Sequence, residues 1–194
     1  MNAHHLRNYF WQGEKVRLRP MAMQDWELWY KESADTEGIR LLQWGVELPK
    51  SEEMAKAWAE QFTNLKDTSK RIMFSIETLS CELVGGINIH TIDQKNGTFS
   101  FGVRTYTPYR GKGYAKEALR IVLRYGFYEM RFQKCNSGCM DTNEASIRLH
   151  KSLGFREEGR QRRTIYTNGR HYDHLLFGLT REEFDENERE YLAG

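Results

Sequence analysis

Apolar and polar residues alternate along this chain with two different periods. Val16-Arg17-Leu18-Arg19-Pro20 has period two and predicts a short strand ended by proline. Asp25-Trp26-Glu27-Leu28-Trp29-Tyr30 switches to helical spacing. A second helix starts at Ser51, where Ser-Glu-Glu offers an N-cap and an acidic first turn. Its face is Ala55, Trp58, Ala59 and Phe62. Residues 36 to 50 read as the loop between these helices. Strands follow at Arg71–Thr78, at 82–92 around Gly85-Gly86, and at Thr98–Thr105 after an Asn96-Gly97 hairpin turn. Then come a helix over about 113–130, a strand over 135–140 and a helix over 143–153. Gly154 stands at the left-handed C′ position with apolar Phe155 after it. Asn168-Gly169 closes a last hairpin between strands at 159–167 and 170–179. The order β-α-α-β-β-β-α-β-α-β-β predicts an α/β (α+β) protein. Its mixed, mainly antiparallel twisted sheet has six to seven strands and helices on its faces.

The 194 residues fit one domain, 1–194, with a core over about 14–180 and an acidic helical tail. Repeats and Pro/Gly/Ser linkers that would mark an internal boundary are absent. A net charge of +2 gives no case for nucleic acid or acidic lipid as partner. Met1 to Trp11 lacks an apolar signal core. No apolar run approaches the ~20 residues that span a bilayer. Three cysteines make no disulfide framework, so the expectation is a cytoplasmic protein without membrane partner.

The chemistry concentrates at Tyr109-Arg110-Gly111-Lys112-Gly113-Tyr114-Ala115, between a strand and an amphipathic helix whose Ala115, Ala118, Leu119 and Val122 pack inward. The first turn of such a helix leaves backbone N–H groups free. Two glycines let that backbone approach a bulky anion, and the helix dipole favours negative charge there. The segment reads as a phosphate or pyrophosphate cradle, or as a basic Gly-rich turn without ligand. A Walker loop needs Ser or Thr after Lys112, where Gly113 stands. A dinucleotide fingerprint needs a small residue where Lys116 stands.

Arg110-x-x-Gly113-x-Ala115 resembles the coenzyme A motif of the Gcn5-related N-acetyltransferase superfamily. Asn143-x-x-Ser146-x-x-Leu149-His150-x-x-x-Gly154-Phe155 is similar to that family's second signature. The element order matches from about Val16 to Leu179, nearest the branch of ribosomal-protein alanine and spermidine acetyltransferases. The resemblance implies the acyl-CoA N-acyltransferase fold, with acetyl-coenzyme A as cosubstrate and an amine as acceptor. It further implies backbone contacts from Val103, Arg104 and Thr105 to pantetheine and the thioester carbonyl. The amides of Arg110, Gly111, Lys112, Gly113, Tyr114 and Ala115 would take the pyrophosphate.

At ~100° per residue, Asn143, Ser146, Ile147 and His150 share one side of their helix, beside an apolar stripe of Ala145, Leu149 and Leu153. The resemblance makes Asn143 and Ser146 cofactor contacts. It puts His150 where many relatives carry a tyrosine that protonates the leaving thiolate. An imidazole suits that task, having a pKa near working pH. The alternatives are an N-cap for Asn143 and a structural helix histidine for His150. The general base is unassigned: some relatives carry a glutamate on the strand where this chain has Thr98, Ser100 and Gly102. His90 and Glu77 are candidates, with solvated strand positions as the blander reading.

Cys135 and Cys139 read as buried thiols, and His171 and His174 point to opposite strand faces, so no metal is expected. Arg160, Arg162 and Arg163 fit a charged edge strand. Trp44, Glu47, Tyr166 and Tyr172 would wall the acceptor. A protein or peptide N-terminal α-amine fits the branch. The alternatives are a polyamine drawn by Glu27, Glu32, Asp35 and Glu37, an antibiotic-like amine, and a non-catalytic coenzyme A sensor. A homodimer is left open.

Overall fold

The computed structural model describes residues 9–63 and 69–193; the reading of Met1–Trp11 falls largely outside them. Seven strands form one sheet in the order β1-β2-β3-β4-β5-β7-β6. They are β1 (Val16–Pro20), β2 (Arg71–Thr78), β3 (Leu83–Asp93), β4 (Thr98–Thr105), β5 (Lys134–Met140), β6 (Arg156–Thr167) and β7 (Arg170–Thr180). The helices are α1 (Asp25–Glu32), α2 (Thr36–Gln43), α3 (Glu52–Thr63), α4 (Tyr114–Arg124), α5 (Glu144–Ser152) and α6 (Arg181–Ala193). α2 occupies what the sequence reads as loop. Gly38 interrupts its pattern, and of its apolar residues Ile39, Leu41 and Leu42 only Ile39 is buried.

The described residues group into two compact units, and β3, β4 and α4 contribute to both. The first comprises 9–35, 48–63, 69–90 and 102–122. Val16 and Leu18 of β1, Ile76 of β2, Ile87 and Ile89 of β3 and Leu119 and Val122 of α4 are buried in it. The alternating arginines of β1 are not solvated as a plain strand face would be. Arg17 and Arg19 both pair with Glu77, which lies opposite Arg17 in register. Arg19 also grips Asp25 through two 2.8 Å hydrogen bonds, and Ser75 donates to Asp25 at 2.7 Å. Burial alone would push the Asp25 and Glu77 carboxyls up. The arginine hydrogen bonds outweigh it and hold both below the usual carboxylate range.

The second unit comprises 36–47, 91–101 and 123–193. Its centre is aromatic: Phe99 lies 5.6 Å from Phe127 and 5.4 Å from Phe132, ring centre to ring centre. α4 ends in a π-helical turn, Tyr125–Glu129, that sets Gly126 against Phe99. The acidic tail is helical and docks through Phe184, 5.3 Å from Phe127. The Asn168-Gly169 hairpin forms, and β6 is the edge strand. Cys135 and Cys139 are buried free thiols.

Candidate active site

β4 and β5 run parallel, and their ladder covers three pairs: Thr98↔Lys134, Phe99↔Cys135 and Ser100↔Asn136. β4 continues through Thr105 and β5 through Met140. Val103, Arg104 and Thr105 therefore lie past the last registered pair, and the Thr105 carbonyl accepts from Arg110 Nε at 3.3 Å.

The chain leaves β4 through buried Tyr106, whose phenol burial raises to about 12, and a 3₁₀ turn over Thr107–Tyr109. Arg110 is extended, and Gly111 (φ 77°) and Gly113 (φ 84°) both take the left-handed conformation that glycine alone adopts without strain. α4 begins at Tyr114, so its first amides face away from their own helix, and the Glu117 amide is already bonded to Gly113 O at 3.2 Å.

Two sets of contacts hold this turn. At the end of α1, Glu32 accepts the Thr107 amide at 3.0 Å, while Asp35 pairs with Arg110 and, at 3.5 Å, with Arg104. Arg104 also donates to Glu32 O at 2.5 Å, so its side chain turns toward α1 and its backbone remains on the strand edge. From the other side, the Glu117 carboxylate accepts the amides of Glu14, Lys15 and Val16 at 2.8, 2.8 and 2.7 Å. This clasp brings Lys15 Nζ within 3.4 Å of Lys112 O. Sequence reading missed both Glu117 and Lys15. An acid in the first turn of a helix is so ordinary that only the fold reveals its partners.

The second motif lies wholly in the second unit. Asn143 is the N-cap of α5: its Oδ1 accepts the Ser146 amide at 3.1 Å and its Nδ2 reaches Leu41 O at 3.5 Å. His150 is 1% exposed, while Ala145 of the expected apolar stripe is exposed. The buried face of α5 is thus rotated toward the histidine. The ring stacks on Phe177 at 4.5 Å and lies 5.6 Å from Phe101 and 5.1 Å from Phe155. Nδ1–H donates to Ser146 O at 2.7 Å, because a carbonyl can only accept. Burial pushes this imidazole down, which favours its neutral form. In that form Nε2 accepts the Ser137 hydroxyl proton at 2.8 Å. Both ring nitrogens are engaged, and Ser137 of β5 is the partly exposed end of the chain of hydrogen bonds.

Of the two base candidates, Glu77 is locked between arginines and buried rather than solvated. Gly102 has no side chain, and Asn88 of β3 fills the space: a Cβ on Gly102 would lie 3.0 Å from Asn88 Nδ2. Of the acceptor-wall residues, Trp44 is half exposed with its ring 4.6 Å from His174, and Tyr166 is exposed beside His171. Tyr172 Oη accepts from Arg170 at 2.5 Å. Arg160 is occupied by Asp173 and Asp141 at 2.6 and 2.9 Å.

Residues 15–156 match the family model for the acetyltransferase (GNAT) domain. The SPbeta prophage-derived uncharacterized N-acetyltransferase YokL of Bacillus subtilis is 38% identical over 178 residues, 92% of this chain and 97% of the relative. The putative ribosomal N-acetyltransferase YdaF of B. subtilis is 27% identical over 66% of this chain and 67% of its own. Spermidine N(1)-acetyltransferase of Escherichia coli is 26% identical over 89% of each. A GNAT-family acetyltransferase structure from Bacillus anthracis superposes with a TM-score of 0.75 at 25% identity, over 88% of this chain and 98% of the other.

Proposed function

Because the chain belongs to the GNAT acetyltransferase family, we propose that it moves the acetyl group of acetyl-coenzyme A directly onto a protein or peptide N-terminal α-amine. The observation that carries this is the turn from Arg110 to Ala115. Two left-handed glycines open α4 with free amides for the pyrophosphate, just past the strand edge of Val103–Thr105. Pantetheine pairs with that edge. A backbone N–H there bonds the thioester oxygen, where charge develops as the amine attacks, and the remaining work is alignment. Asn143 and Ser146 border the cofactor from the start of α5. His150 holds the Ser137 hydroxyl proton at Nε2 and so orients that hydroxyl, and the departing thiolate takes its proton from solvent.

The acids of α1 favour a peptide over a polyamine. Glu32 and Asp35, two of the four carboxylates that would draw in a polycation, are spent on Thr107, Arg104 and Arg110.

Calorimetric titration with acetyl-coenzyme A tests the cradle. Gly113→Ala forces a side chain onto a left-handed backbone at a cost of about 1–2 kcal/mol. It should weaken acetyl-coenzyme A about tenfold. Absent heat with the wild type, or unchanged affinity in the variant, refutes the assignment. Thiol release with an alanine-initiated peptide and with spermidine then decides the acceptor. Faster turnover of spermidine would replace the peptide reading by the polyamine one.

A further inference from the structure

Acetyl transfer requires that the attacking nitrogen lose a proton, and Glu77, the one strand carboxylate considered from the sequence, is held by two arginines and does not supply the base. On β5 the two residues just past the last pair with β4, Ser137 and Gly138, point to opposite faces, as successive strand residues must. His150 reaches Ser137 from one face. On the other face a second imidazole lies directly over Gly138: a Cβ there would be 2.1 Å from His174 Nε2. That nitrogen is buried and has no hydrogen-bond partner among the described residues. A buried polar atom left unmatched is costly and is expected where a ligand completes it.

We propose that His174 is the general base of this enzyme, taking the proton of the attacking amine at Nε2, while the departing sulfur leaves on the Ser137 side of the same strand edge. The inference rests on the acetyl-transfer reading above. As the N–C bond forms, the C–S bond breaks and its electron pair leaves on sulfur. One N–H proton passes to Nε2. The imidazolium returns it to solvent, which protonates the thiolate. Gly138 is what allows this placement, since any side chain there would occupy the position of the ring nitrogen.

The surroundings suit a base. Trp44 packs on the ring, and Gln161 and Met140 are its cross-strand neighbours on β6 and β5. Of the charged residues adjoining these positions, Asp141 and Asp173 are both paired with Arg160, and Arg162 of β6 is exposed. Burial pushes His174 below the ordinary histidine range, which keeps the ring unprotonated and able to accept at neutral pH.

The test compares wild type with His174→Gln and His174→Ala, using thiol release from acetyl-coenzyme A with an alanine-initiated peptide and with spermidine. The expected result is a loss of about 10²–10⁴-fold in kcat, an unchanged Kd for acetyl-coenzyme A, and disappearance of the acidic limb of the kcat/KM profile. Added imidazole should restore part of the His174→Ala rate. A His174→Gln enzyme that keeps its rate or its acidic limb overturns the inference while leaving acetyl transfer standing. A wild type that binds acetyl-coenzyme A but acetylates neither amine overturns both.

Discussion

Removing the Glu117 carboxylate should detach the start of β1 from α4. Three amides converge on this group at 2.7–2.8 Å. Val16 is fully buried, so its amide finds no water in exchange, and a bond to a charged acceptor of this kind contributes about 1.5–3 kcal/mol. Glu14 and Lys15 are exposed and recover solvent, which limits their share to a few tenths of a kcal/mol each. Glu117→Ala should therefore cost about 3 kcal/mol, a fall in Tm of about 6–12 °C for a chain of this size. Glu117→Gln keeps one carbonyl oxygen, which can stay with Lys15 and Val16, while its NH2 cannot accept and leaves the exposed Glu14 amide to solvent; it should lose about half as much. Calorimetric melting of the three proteins, with urea titration as a second measure, gives the comparison. An Ala variant melting within about 1 °C of wild type, or a Gln variant less stable than Ala, would refute the clasp. Because Lys15 is delivered to Lys112 by the same contact, acetyl-coenzyme A affinity should fall with stability.

The Arg19–Asp25–Glu77 network makes stability depend on pH. Folded-state carboxyl pKa values below the unfolded ones mean that the contribution is present above about pH 4 and lost as pH falls through the folded values. Asp25→Asn should lower stability at pH 7 by about 2 kcal/mol and flatten the acid limb of a Tm-against-pH series; a limb as steep as wild type would count against it. Gly126→Ala would place a methyl 2.4 Å from the Phe99 ring, so overpacking should cost about 1–3 kcal/mol in denaturant titration.

The sequence by itself determined the element order, the two hairpin turns and the glycine turn that opens α4. These depend on local rules: period two or 3.6, glycine where φ is positive, and free amides at a helix start. It did not determine α2, which carries Gly38 and buries only Ile39, nor the buried state of Glu77, whose neutralising arginines sit 58 and 60 positions away. Tertiary structure alone decided that His150 faces an aromatic core with both nitrogens engaged, that Glu117 grips β1, and that the buried His174 Nε2 lies over Gly138 of β5 with no partner among the described residues. The reason is physical. A side chain's protonation and chemistry follow from desolvation and from partners brought near by strand register, and register joins residues that no local pattern connects.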